Sequence, residues 1–201
     1  MTHETGVGTV NVVVTEFRTS DLPDEDTVIE SALMWQARGV EHTDVLLAVA
    51  SLERATKLIN SRIEALLKPF NLTFSRFAVL SRLYWTRSGS MTLGEIATML
   101  VVHPTSVTSA IDRLERDGLV ERVPHPTDRR AMLAKVTAAG KSLVKQATPK
   151  LTEAKFGFAD VDDRTLGDIS IVLRRVRAAA GDLVADERKY RDVIQGRPIA
   201  P

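Results

Sequence analysis

The chain has 201 residues, with 27 Lys and Arg against 26 Asp and Glu, no cysteine and a hydrophobic share of 44%. This is enough for one compact domain of ordinary core size with tails; it excludes disulfide stapling and thiol chemistry, and a formal net charge of +1 means that any nucleic-acid-binding basicity is local. No stretch is long and apolar enough to cross a bilayer, and the N-terminus lacks the basic start and apolar core of a secretory signal, so the chain is expected in the cytoplasm with no membrane partner.

Residues 1–23 are small, polar and acidic except for the β-prone run VNVVVTEF, Val10 to Phe17. They read as a flexible arm, with addition of a strand to a partner's edge as the alternative use of that run. Asp24 to Arg38 reads as a helix closed by Gly39, with Val28, Ala32 and Trp35 on one side and Ile29, Leu33 and Gln36 beside them. Val45, Val49, Leu52, Ile59 and Ile63 continue at helical spacing until Pro69 ends the run.

Thr92 is an N-cap residue with Glu95 three positions on, the spacing of a capping box, so a helix is expected from Leu93 with Leu93, Ile96, Ala97 and Leu100 on one face. Val101 and Val102 carry the chain through a turn to His103 and Pro104, and proline suits the first position of a second helix. In that helix Val107, Ala110, Ile111 and Leu114 form the apolar face. Thr105, Ser109, Asp112 and Arg116 then point outward, with Ser106, Thr108 and Arg113 on the flanks. Short hydroxyl side chains at the N-terminal turn let a helix approach base edges in a major groove, while arginines at its sides reach phosphates. A solvated helix face carries the same pattern, so the next segment decides.

Gly118 stops the helix, Leu119 to Val123 reads as a strand and Ala131 to Val136 as its partner. Between them lies PHPTDRR: Pro124 and Pro126 stiffen the loop, Asp128 favours a turn, and Arg129 and Arg130 project from the tip. Arginine on a protruding hairpin fits the negative potential of a narrow minor groove. From Arg122 to Lys135 four cations (Arg122, Arg129, Arg130, Lys135) face one Asp128, a local excess of three, which makes this two-stranded wing the basic element of the chain.

After the wing, Lys141 to Thr148 is a helical run that Pro149 is expected to kink or end. Leu166, Ile169, Val172, Leu173, Val176 and Leu183 form a second long apolar stripe, and Glu187 to Pro201 reads as a loosely ordered tail. The four histidines, His3, His42, His103 and His125, are scattered, with no i, i+4 pair, nucleophile motif or glycine-rich phosphate loop. No catalytic residue, metal ligand or cofactor is nominated, and the chain is not expected to be an enzyme.

In NLTFSRFAVL (Asn71 to Leu80), SVTSAIDRLERDGLVER (Ser106 to Arg122), TDRRA (Thr127 to Ala131) and VTAAGKSL (Val136 to Leu143) the chain resembles the multiple-antibiotic-resistance regulator (MarR) family of bacterial transcription regulators over residues 42 to 184. The resemblance implies a mainly α fold, with a winged helix-turn-helix domain embedded in a helical dimerisation domain. Residues 71–138 would be the DNA-binding domain, 42–70 and 140–185 the dimerisation region, 24–39 an added helix and 186–201 a tail. It further implies a homodimer on a palindromic double-stranded operator, acting as a repressor. Thr105, Ser106, Thr108 and Ser109 would face the groove, Arg113 and Arg129 the backbone, and Asp128 would brace Arg130 in the minor groove. Ser109 stands where relatives often have arginine, and His103 where they often have serine. A small aromatic or phenolic ligand between dimer and DNA-binding lobes is also implied, for which Trp35, His42, Phe77, Tyr84 and Trp85 offer stacking surface and Arg38 an anion partner. The alternative class is a winged-helix protein-interaction module that binds no DNA.

Overall fold

The computed structural model describes residues 26–128, 131–182, 190, 192 and 193. The proposed N-terminal arm, the tip residues Arg129 and Arg130 and most of the C-terminal tail lie outside them. The chain divides into two compact units, residues 1–157 and 158–201.

In the first unit, α1 (Thr27–Gln36) starts where the Asp26 carboxylate accepts the Val28 N–H at 3.0 Å, and Gly39 reverses the chain at φ +75°. It is three residues later at its start and two earlier at its end than the sequence pattern indicates. α2 (Thr43–Leu67) gives way at Pro69 to a 3-10 turn, Lys68–Phe70. Asn71, in the left-handed region at φ +52°, then redirects the chain into α3 (Phe74–Trp85), whose N-cap Thr73 accepts from the Arg76 N–H. α4 (Leu93–Leu100) opens with the predicted capping box: the Thr92 hydroxyl accepts the Glu95 N–H, and the Glu95 carboxylate accepts the Thr92 N–H at 2.7 Å. The Thr92 N–H and the Thr92 hydroxyl, which also donates to that carboxylate at 2.9 Å, hold the Glu95 carboxyl below its ordinary range. α5 (Pro104–Arg116), β2 (Val120–Pro124), β3 (Met132–Val136) and α6 (Ala138–Glu153) complete the unit, with a closing 3-10 turn at Lys155–Gly157.

Two elements differ from the sequence reading. The wing is three-stranded: β1 (Ser90–Thr92) pairs antiparallel with β3, giving the order β1-β3-β2. Three residues are too few to show alternation, and Thr92 is already spoken for as a helix cap, so the strand has no signal of its own. The second difference is Pro149, which does not end its helix; α6 runs through it to Glu153. Proline removes one donor, to the Lys145 carbonyl, but both residues sit on the exposed face where water replaces it, while buried Val144, Ala147 and Leu151 hold the opposite face against the core.

The core joins the C-terminal third of α2 (Ile63, Leu67), α3 (Phe77, Leu80, Leu83), α4 (Ile96), α5 (Val107, Ile111, Leu114), the sheet (Val120, Ala134, Val136) and α6 (Val144, Leu151). The N-terminal part of α2 takes no share in it: Val45, Val49 and Leu52 are about half exposed, as are Ile29, Leu33 and Trp35 of α1, which packs along α2. In the second unit α7 (Asp163–Ala179) leaves Val172 and Val176 exposed on its apolar stripe. Among the described residues no helix is long and apolar enough to cross a membrane.

Candidate nucleic-acid interface

The helix pair α4 and α5 forms as the sequence indicates. Val101 sits at φ +53° in the turn between them, a conformation that a β-branched residue adopts only where the surrounding contacts impose it. His103 caps α5: its ring Nδ1 accepts the Thr105 N–H at 3.3 Å, replacing the hydroxyl or carboxylate usual at this position. Val107, Ile111 and Leu114 are 1% exposed or less, which fixes the roll of α5 and leaves Thr105, Ser106, Thr108, Ser109, Asp112, Arg113 and Arg116 in solvent. The groove-facing residues nominated from the sequence therefore share one exposed surface, with hydroxyls at the N-terminal turn and Arg113 farther along.

The wing is arranged differently from its charge count. Arg122, on β2, turns back onto α5, where its guanidinium pairs with Asp112 at 2.6 Å and with Glu115, whose carboxylate also accepts the Arg122 N–H. The bond to Asp112, against the cost of partial burial and with help from Glu115, holds its proton more tightly than usual. Lys135 pairs with Glu121, its direct cross-strand neighbour in the register, at 2.9 Å. Two of the four wing cations are thus neutralised within the domain. The expectation of a locally basic wing narrows to Arg129 and Arg130.

The loop carrying them is tied at both ends. The His125 ring Nδ1 accepts the Asp128 N–H at 3.1 Å, the Ala131 N–H donates to the Asp128 carbonyl at 3.1 Å, and the His125 N–H to the Ala131 carbonyl at 3.0 Å. Neither this role of His125 nor the Arg122 clamp was visible in the sequence. Asp112 and Glu115 three residues apart mark one helix face, but only the strand register brings Arg122 to it.

The nominated ligand residues do not converge in the same way. Phe77 is a core side chain, 5% exposed, so it offers packing rather than stacking surface. Tyr84 and Trp85 end α3 with their rings edge to face, centroids 4.7 Å apart, and Trp85 is largely exposed. Trp35, Arg38 and His42 sit at the α1–α2 corner, where the Arg38 guanidinium donates to the Met34 carbonyl at 2.8 Å. A cleft of about 390 Å³ opens at a different corner, between α2 and α3, and none of the six residues lines it.

The profile of the MarR family matches residues 72–132, the span from the start of α3 to the wing. A MarR family transcriptional regulator from Streptomyces coelicolor is 37% identical, and its crystal structure superposes over 71% of this chain and 99% of that one with a TM-score of 0.66. The chain belongs to the MarR family. Against curated transcription regulators of Bacillus subtilis, 29–33% identical, it spans 54–69% of their length. The MarR fold is shared with a mutant of MarR from E. coli complexed with operator DNA (21% identity, 68% of this chain and 98% of that one, TM-score 0.61). It is shared too with CouR from Rhodococcus jostii bound to p-coumaroyl-CoA (21% identity, 67% and 92%, TM-score 0.56). As a MarR family protein the chain is placed among DNA-binding transcription regulators.

The Arg122 clamp gives a first test of this interface. Arg122→Ala leaves two carboxylates of α5 unneutralised beside the face that would meet phosphates. DNA affinity is expected to fall about three- to tenfold, more at low salt. The thermal midpoint should hardly move, since exposed ion pairs contribute only about 0–1 kcal/mol. Anisotropy titrations at two salt concentrations, with a thermal melt, check both; unchanged affinity would show that the wing base works without the clamp.

Proposed function

We propose that the chain is a homodimeric repressor acting in the cytoplasm on a palindromic operator. The observation that carries this reading is the exposed hydroxyl-lined N-terminal turn of α5, held at a fixed roll by its buried apolar face beside a clamped wing. Thr105, Ser106, Thr108 and Ser109 face base edges, Arg113 and Arg129 meet phosphates, and Asp128 orients Arg130 toward the minor groove. With a serine at position 109, direct base readout is modest and the wing carries more of the affinity. Exposed apolar positions on α2 (Val45, Val49, Leu52) and on α7 (Val172, Val176) support a dimer through residues 42–70 and 140–185, because apolar surface of this kind needs a partner. A two-fold dimer sets two α5 helices about one turn of DNA apart.

A small aromatic or phenolic molecule is proposed as the releasing ligand. Its stacking surface is the exposed Trp85 with Tyr84 at the end of α3, or Trp35 with Arg38 and His42 at the α1–α2 corner; Phe77, buried in the core, is not a contact. Such a ligand releases DNA to the extent that it binds one spacing of the two recognition helices better than the other.

A gel shift with the DNA upstream of the protein's own reading frame tests the central reading, with light scattering for the dimer. Specific, salt-sensitive binding by a dimer is expected. Arg113→Ala should weaken binding across all sequences and flatten the salt slope by roughly one unit. No binding to any duplex would favour a protein-interaction module instead.

A further inference from the structure

We propose that Arg76 is a positioning residue for DNA binding: it locks the C-terminal end of the recognition helix α5 to the corner between α2 and α3, and so sets the angle at which α5 is presented. This rests on the DNA-binding dimer reading above. Arg76 ties two places together with its guanidinium: the C-cap of α5 and the turn between α2 and α3 that leads into its own helix. Nη1 donates to the Asp117 carboxylate at 2.9 Å, Nη2 to the Asn71 carbonyl at 2.7 Å, and Nε to the Thr73 hydroxyl at 3.4 Å. Its side chain is 13% exposed, so this is a held strut rather than a waving surface pair.

Asp117 is the C-cap of α5, where the helix macrodipole disfavours a carboxylate. Arg113 and Arg116 stand in the same last turn, and Arg76 on α3, 41 residues away in sequence, pairs with the Asp117 carboxylate directly. On the other side of the corner, the Glu64 carboxylate of α2 accepts the Phe74 N–H at 2.7 Å, in the first turn of α3 where an anion is favoured. The links therefore run from α2, through the N-terminus of α3, to the end of α5. Glu64, Asn71, Thr73 and Arg76 all line the cleft of about 390 Å³ at this corner. These polar ties therefore stand at the rim of the apolar packing of α3 against α5 and add to it in holding the orientation.

The lever is long. α5 has 13 residues, about 20 Å from Asp117 to its N-terminal turn. A tilt of a few degrees at Asp117 therefore moves Thr105 by roughly an ångström, comparable with the tolerance of a hydrogen bond to a base.

The experiment compares wild type, Arg76→Gln, Asp117→Asn and the double variant. Each is titrated by anisotropy against the operator and against operators with the half-site spacing changed by one base pair either way, with a thermal melt alongside. Each single variant should lose about tenfold in operator affinity, and the double should lose no more than either single. The singles should also lose the preference for the natural spacing, which lowered stability by itself would not alter. Arg76→Lys, which keeps the charge but not the fork, should be intermediate. Losses that multiply in the double, or an unchanged spacing preference, overturn the strut while wild type still binds. Failure of wild type to bind any duplex overturns the DNA-binding reading and the strut with it.

Discussion

Arg130→Ala is expected to lower operator affinity by about five- to 150-fold, the equivalent of about 1–3 kcal/mol for one well-placed groove contact, while the protein stays folded. The argument begins with what the other wing cations do. Arg122 is spent on Asp112 and Glu115, and Lys135 on Glu121, so neither has its charge available to DNA. The charge excess of the wing then rests on positions 129 and 130. Of the described residues on either side, the Ala131 N–H donates to the Asp128 carbonyl at 3.1 Å and the Asp128 N–H to the His125 ring.

Arg129→Ala should behave differently. As a phosphate contact it should weaken specific and unspecific duplexes alike and reduce the salt slope, whereas Arg130→Ala should narrow the gap between them. Anisotropy against both kinds of duplex at several salt concentrations, with a thermal melt as the folding control, separates the two. Wild-type affinity in the Arg130 variant would remove the wing from the interface.

Features that declare themselves locally were legible. The capping box at Thr92 and Glu95, the Pro104 start and the buried quartet of α5 each need only a few neighbouring residues, and each formed as the spacing indicates. What the sequence hid depends on register and on distance along the chain. β1 exists because Ser90 to Thr92 lie opposite Leu133 to Lys135, and the charge of the wing is redistributed because Arg122 faces α5 rather than solvent. Arg76 and Asp117 are unremarkable as residues and meet only in the fold. Phe77 shows the same limit from the other side: an aromatic at helical spacing reads alike as core or as ligand surface until burial decides.

Gly140→Ala is expected to be strongly destabilising, although it changes a helix-poor residue to the best helix former. An added Cβ would lie 2.2 Å from the Leu119 carbonyl oxygen, 2.9 Å from a Val136 methyl and 3.1 Å from a Leu80 methyl. The first of these is backbone and cannot rotate away. It also belongs to a junction that is bonded on every side: the Thr137 N–H donates to that same Leu119 carbonyl at 3.1 Å, and the Thr137 hydroxyl donates to the Gly118 carbonyl at 2.8 Å while accepting the Gly140 N–H. Through these bonds the start of α6 is seated against the turn that ends α5 and begins β2. Making room for one methyl group means withdrawing α6 from that turn. A cost of about 3 kcal/mol, at the upper end for overpacking, outweighs the gain of about 1 kcal/mol in helix propensity. Chemical denaturation checks it, and a midpoint equal to or above wild type would contradict the contact. Because the same turn holds Gly118 and the first residue of the wing strand, surviving folded protein should also bind DNA less tightly, whereas Gly167→Ala on α7, where nothing within the chain lies within 4 Å of the new Cβ, carries no such clash.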